Sequence, residues 1–153
     1  MVLQIDDPAP EFSLEDHNRT KINLADLKGK KVLVYFYPKA DTPGCTKQTC
    51  LLNDHLGQLN QLDVSVLGIS PDKVDKQKKF AEKYGINFSL LSDEDHAVAE
   101  LYSVWGEKKM YGRTYMGIIR SAFLIDEQGA IIEAWYKVSP KDTVSKALKR
   151  IEA

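Results

Sequence analysis

Val32, Leu33, Val34, Tyr35, Phe36 and Tyr37 are six apolar, β-prone side chains in a row, closed by Pro38. A strand with one wet face alternates polar and apolar residues. An unbroken run of this length therefore predicts a strand buried on both faces. Such a strand needs a sheet with cover on two sides, and the rest of the chain must supply it.

The flanking patterns fit that requirement. Residues 12–14 and 20–24, with a polar turn at 15–18, predict a short hairpin near the start. A helix is expected over 43–62, with Leu52, His55, Leu56 and Leu59 on one stripe. A second buried strand at 64–69 stops at Ser70 and Pro71. A charged helix over 72–84 turns Val74, Phe80, Ala81 and Tyr84 inward, with Gly85 at its C-cap. A strand at 88–91 and a helix at 94–102 follow, and 103–117 reads as irregular. Residues 118–125 and 131–138 pair around a turn at 126–129. The last helix starts at Ser139 as N-cap, Pro140 as N1 and Asp142 as N3, and buries Val144, Ala147, Leu148 and Ile151. Strands alternating with helices, then a hairpin and a final helix, imply an α/β fold with a central mixed sheet and helices on both faces. At 153 residues the chain is long enough for one domain, 1–153, and short for two.

Lys and Arg number 21 against 22 Asp and Glu, a net charge of −1 without a basic block. That speaks against nucleic acid or an anionic membrane as partner. The first residues lack the basic and apolar regions of a signal peptide, and no apolar run reaches the length of a membrane span. A cytoplasmic compartment is expected. Reducing buffers there make the two cysteines poor candidates for a permanent staple. Structural zinc needs about four ligands, and His17, His55 and His96 are scattered without ligand spacing, so they read as surface residues. Core packing and redox chemistry remain open for Cys45 and Cys50.

Thr42 before Pro43 reads as N-cap and N1, which puts Cys45 at about N3. Unpaired N–H groups and the positive end of the helix dipole favour an anion there. A free thiol titrates near about 8.5 and a helix N-terminus lowers it, so this placement predicts a thiolate. The alternative, a buried structural cysteine, is the commoner fate of cysteines in general. Five residues of regular helix separate two Cα atoms by about 8.6 Å. A disulfide needs less than about 7 Å. Cys45 and Cys50 can therefore bond only if the first turns unwind. No Cys-x-x-Cys pair is present, which counts against a thioredoxin-type reductase.

Pro38, Thr42 and Cys45, spaced Pro-x-x-x-Thr-x-x-Cys, match the peroxiredoxin active-site signature. Arg120, opening 120–126, resembles the family's late strand that bears an active-site arginine. Residues 44–50, with four residues between the thiols, are similar to the peroxiredoxin Q or bacterioferritin comigratory protein subgroup. The resemblance implies a thioredoxin-like fold with an N-terminal hairpin extension. It implies a peroxidase in which Cys45 attacks peroxide to give a sulfenic acid, Thr42 bonds the peroxide, Arg120 stabilises thiolate and transition state, and Pro38 shields the sulfur. Cys50 would resolve the sulfenic acid as a disulfide that thioredoxin or a similar dithiol reduces. Gln48 would support the site from behind. No cofactor is implied. A C-terminal resolving cysteine and a Gly-Gly-Leu-Gly segment are missing, which implies a monomer. Trp105, Tyr111 and Tyr115 have two readings, walls of a substrate entrance or packing beneath a loop, and the second is the commoner for loop aromatics. A protein thiol–disulfide oxidoreductase and a redox-sensing binding module are the competing readings.

Overall fold

The computed structural model describes residues 2–152. Strands β1 (Ser13–Glu15) and β2 (Lys21–Asn23) form the expected hairpin, followed by a 3-10 turn at Leu24–Leu27. The apolar run is β3 (Lys31–Phe36). Helices α1 (Pro43–Asp54) and α2 (Leu56–Gln61) lead to β4 (Val64–Ser70), α3 (Val74–Tyr84) and β5 (Ser89–Ser92). Then come α4 (Ala97–Leu101), β6 (Trp105–Met110), β7 (Arg113–Ile118), β8 (Ser121–Ile125), β9 (Ile131–Trp135) and α5 (Thr143–Glu152). The central sheet runs β5-β4-β3-β8-β9; β3, β4 and β5 are parallel, and β8 and β9 join antiparallel. This is the mixed sheet that the patterning implied, in the thioredoxin-like arrangement that the resemblance implied.

Side chains alternate across a strand, so β3 feeds two cores. Leu33, Tyr35 and Tyr37 face one, with Leu52 and Leu59 of α1 and α2, Phe80 of α3 and Val144 and Ala147 of α5. Val32, Val34 and Phe36 face the other, with Phe12, Leu24, Val98, Tyr102 and Phe123. One face is thus covered by four helices. The other is covered by α4 and the N-terminal extension. Buried phenols need partners: Tyr35 Oη and Thr49 Oγ1 are 2.7 Å apart, and Tyr37 donates to Gln77 Oε1 at 2.6 Å. Burial pushes both phenols far up, so they stay protonated.

Gly68 on β4 makes room for Tyr35. A Cβ there would stand 2.7 Å from Tyr35 Oη, 2.8 Å from its Cζ and 3.0 Å from Leu90 Cδ2. Gly68→Ala is expected to destabilise the fold by about 1–3 kcal/mol through overpacking. A lowered urea midpoint at unchanged slope is the readout, and an unmoved midpoint would contradict this packing.

Four elements differ from the sequence expectation. The helix over 43–62 breaks at His55, whose Nδ1 lies 2.9 Å from the Leu51 carbonyl and competes with the regular ladder. Residues 103–117 are not irregular: β6 and β7 pair through a turn in which Tyr111 and Gly112 both have positive φ, 53° and 76°. The strand expected over 118–125 is divided, because the Ile119 N–H donates to Val104 O and Arg120 O accepts from Val138 N–H. The last helix begins at Thr143, not Pro140. Ser139 Oγ donates to the Asp142 carboxylate at 2.7 Å, so this pair closes a turn on itself and does not cap the helix.

The histidines are also more engaged than expected. His17 Nδ1 accepts from the Leu90 N–H at 3.3 Å, and His96 stacks on Trp105 with ring centroids 3.8 Å apart.

Candidate active site

Loop 38–42 joins β3 to α1 and is tied down at two points. The Ala40 N–H donates to Asp72 Oδ2 at 2.7 Å, and Ser70 Oγ donates to the same oxygen. Asp41, at φ 61°, accepts from Tyr84 Oη at 2.7 Å and from Lys83 Nζ at 2.9 Å. The Tyr84 hydroxyl and then Lys83 hold the Asp41 carboxyl below its usual range. The strained aspartate is thereby anchored to the end of α3.

Thr42 takes the N-cap position in an extended conformation, φ −97° and ψ 157°, but its hydroxyl does not cap. Thr42 Oγ1 donates to the Lys39 carbonyl at 2.7 Å instead. This corrects the expectation of a side-chain cap. Its consequence is chemical: with its proton committed backwards, the oxygen presents lone pairs forward. The first helical bond is the Thr46 N–H to Thr42 O at 2.8 Å.

Cys45 lies in the first turn of α1 with 1% of its surface exposed. Arg120, 75 residues later, stands just before β8 and points Nη2 at Cys45 Sγ, 3.4 Å away. Its Nη1 donates to Gln48 Oε1 at 2.7 Å, Gln48 Nε2 donates to Thr143 Oγ1 at 2.8 Å, and Thr143 donates to Ser139 O at 3.0 Å. The start of α5 thus orients the guanidinium through a fully buried glutamine. Gly44 is part of the same fit, since a Cβ there would lie 3.1 Å from Arg120 Nη2. Thr143 escapes sequence reasoning, because a hydrogen-bond partner 95 residues away leaves no local pattern.

Cys45 opens into a cavity of about 520 Å³ lined by Pro38, Thr42 and Arg120 and by Trp105, Lys108 and Met116 of the β6–β7 hairpin. Tyr115 also lies in its wall, whereas Tyr111 sits at the hairpin tip, 96% exposed. Trp105 and Tyr115 are therefore walls of the cavity, not packing under a loop. A second cavity, about 580 Å³, lies between Asp41 and Lys79 and has no thiol in its wall.

Cys50 lies further along α1, half-buried, and both cysteines are free thiols. Burial first, and then the neighbouring Asp54 carboxylate, push the Cys50 thiol up. Its resting form is the thiol. One cysteine faces a guanidinium; the other faces apolar surface and a carboxylate.

A sheltered cysteine at a helix start under an arginine, on a thioredoxin-like sheet, defines a thiol-based peroxidase. Residues 5–134 match the AhpC/TSA family. The chain is 56% identical over 129 residues to peroxiredoxin Bcp of Escherichia coli strain K12, covering 84% of this chain and 83% of that one. It is 44% identical over 153 residues to peroxiredoxin Bcp of Bacillus subtilis strain 168, covering 99% and 97%. Its structure superposes on a cysteine-to-serine mutant of Xylella fastidiosa PrxQ with TM-score 0.93 at 32% identity, covering 99% and 97%. Xanthomonas campestris bacterioferritin comigratory protein, whose structures concern alkyl peroxide reduction, gives TM-score 0.89 at 33% identity, covering 99% and 96%. The chain belongs to the AhpC/TSA family and is a peroxiredoxin, a peroxidase that works through a thiol.

Proposed function

We propose that Cys45 reduces hydrogen peroxide and organic hydroperoxides and that Cys50 resolves the product. The observation that carries this reading is the 3.4 Å approach of Arg120 Nη2 to the buried Cys45 Sγ. A fixed cation beside the sulfur favours thiolate over thiol, and the thiolate is the nucleophile. It attacks one peroxide oxygen, the O–O bond breaks, and the departing alkoxide or hydroxide takes a proton to leave as alcohol or water. Cys45 becomes a sulfenic acid. Thr42 Oγ1 accepts a hydrogen bond from the peroxide O–H, and the Cys45 N–H and Arg120 face the oxygens as charge moves onto them. Pro38 keeps bulk water off the sulfur. The apolar hairpin wall suits the alkyl part of an organic hydroperoxide.

Cys50 then attacks the sulfenic sulfur, the Cys45–Cys50 disulfide forms and water leaves. Thioredoxin or a similar dithiol reduces that disulfide, and antioxidant defence follows from the cycle. The whole chain, 1–153, acts as one catalytic domain, as a monomer in the cytoplasm. Among the described residues no helix is long and apolar enough to cross a membrane. Peroxide consumption coupled to thioredoxin, thioredoxin reductase and NADPH is the test, beside insulin reduction. Insulin reduction without peroxide turnover would reject the peroxidase reading.

The resolving step makes a structural demand. Both cysteines lie within α1, where five residues of helix hold the Cα atoms about 8.6 Å apart. They must come within about 7 Å. Oxidation is therefore expected to melt the start of α1 and to speed amide hydrogen exchange across 42–52, while β3 and α5 stay protected. Equal protection in reduced and oxidised protein, with the disulfide confirmed by mass spectrometry, would rule out unwinding.

A further inference from the structure

Lys108 takes no part in the chemistry described so far, yet it lines the cavity that holds Cys45 and Arg120. It is half-buried on β6, and its stem crosses Gly117 of β7, where an added Cβ would come within 3.2 Å of Lys108 Cδ. Its ammonium donates to the Ile118 carbonyl at 2.8 Å. Among the described residues neither Lys108 nor Arg120 is in an ion pair. Burial, and then the repulsion of Arg120, push the Lys108 pKa down, while Cys45 pulls it back up.

Two cations lining one cavity repel each other and lose hydration. A hairpin anchor would not need that arrangement: a neutral donor could bond the Ile118 carbonyl without burying a charge. The other charged or titratable groups in the cavity wall are Lys39, Tyr115 and Cys45. Tyr115 is also the cross-strand partner of Lys108. Of these, Cys45 is the one to which Arg120 donates.

We propose that Lys108 is an electrostatic positioning residue of the peroxide site, a second cation that brackets the Cys45 thiolate opposite Arg120 and seats the β6–β7 hairpin over it. The role rests on Cys45 being the reacting thiol. Before reaction, two positive groups share one anion. During attack, negative charge spreads from sulfur to the leaving oxygen, still between them, and the hairpin wall stays in place around the substrate.

Two substitutions separate charge from anchoring. Lys108→Gln keeps a donor for Ile118 O and removes the charge; Lys108→Arg keeps the charge. In a Cys50→Ser background, the rate of iodoacetamide alkylation against pH reports the Cys45 thiolate, and stopped flow reports one turnover with hydrogen peroxide. Lys108→Gln should move the alkylation midpoint up by about one pH unit, leaving about tenfold less thiolate below it. The peroxide rate at mildly acidic pH should fall about as much, and Lys108→Arg should restore both. A Lys108→Gln curve that overlays the wild type, or an equal loss in Lys108→Arg, overturns the proposal. A Cys50→Ser protein that fails to consume one equivalent of hydrogen peroxide would overturn the assignment of Cys45 itself, and the role of Lys108 with it.

Discussion

Cys45→Ser is expected to remove peroxide turnover entirely, while Cys50→Ser should react with one equivalent of peroxide and then stop as a sulfenic acid. The two thiols lie on one helix but in opposite electrostatic settings. Arg120 donates to Cys45, whereas Cys50 is held as a thiol by burial and by Asp54. A serine at 45 offers an alcohol that stays protonated near neutral pH, so no comparable nucleophile remains. A serine at 50 leaves the attacking sulfur and its arginine untouched and removes only the second step. Single-turnover stopped flow separates these outcomes, with mass spectrometry for the added oxygen. Equal burst rates for the two variants would show that the assignment of roles is wrong.

Arg120→Met should slow the peroxide step by about 10²–10³-fold, the loss typical of removing one transition-state donor. The same change leaves Gln48 Oε1 buried without its 2.7 Å donor. Some stability is therefore expected to go with the activity. Arg120→Lys is the informative companion. Arg120 reaches Cys45 through Nη2 and Gln48 through Nη1, on separate nitrogens of a rigid fork. A lysine has one ammonium on a flexible stem and cannot hold both partners in that geometry. It should recover part of the rate. Thr42→Val should fall in the same range, since it removes the oxygen proposed to accept a hydrogen bond from the peroxide O–H. Wild-type peroxide rates in either Arg120→Met or Thr42→Val would exclude that residue from the site.

Much of this protein is legible because it is local. The apolar run at 32–37, which overlaps β3 at 32–36, announces a strand between two cores by the absence of charged residues. Gly85 ends α3 in the left-handed conformation, φ 63°, as its place after Tyr84 requires. Pro43 opens α1 and sets Cys45 in its first turn. Val144 and Ala147 turn inward as their spacing demands. In each case the information lies within one or two helical turns, where periodicity and caps operate.

Other features are set by contacts between distant segments. The β6–β7 hairpin is exposed along much of its length, so it carries no alternation, and its Tyr111-Gly112 turn lacks the usual Asn-Gly or Asp-Gly signal. Ser139 and Asp142 have the spacing of a capping box, but the Ser139 hydroxyl donates to the Asp142 carboxylate and the helix starts only at Thr143, which donates to Ser139 O in the relay behind Gln48. The sequence by itself determined where the thiols sit and what kind of sheet carries them. The resemblance named Arg120 and Gln48 for the site, but only the tertiary structure decided how Cys45 is surrounded: the two-armed Arg120 fork, the Gln48–Thr143 relay, the reversed Thr42 hydroxyl and the Lys108 wall. Directional bonds between segments up to 95 residues apart leave no trace in local periodicity and exist only once the sheet has brought those segments together.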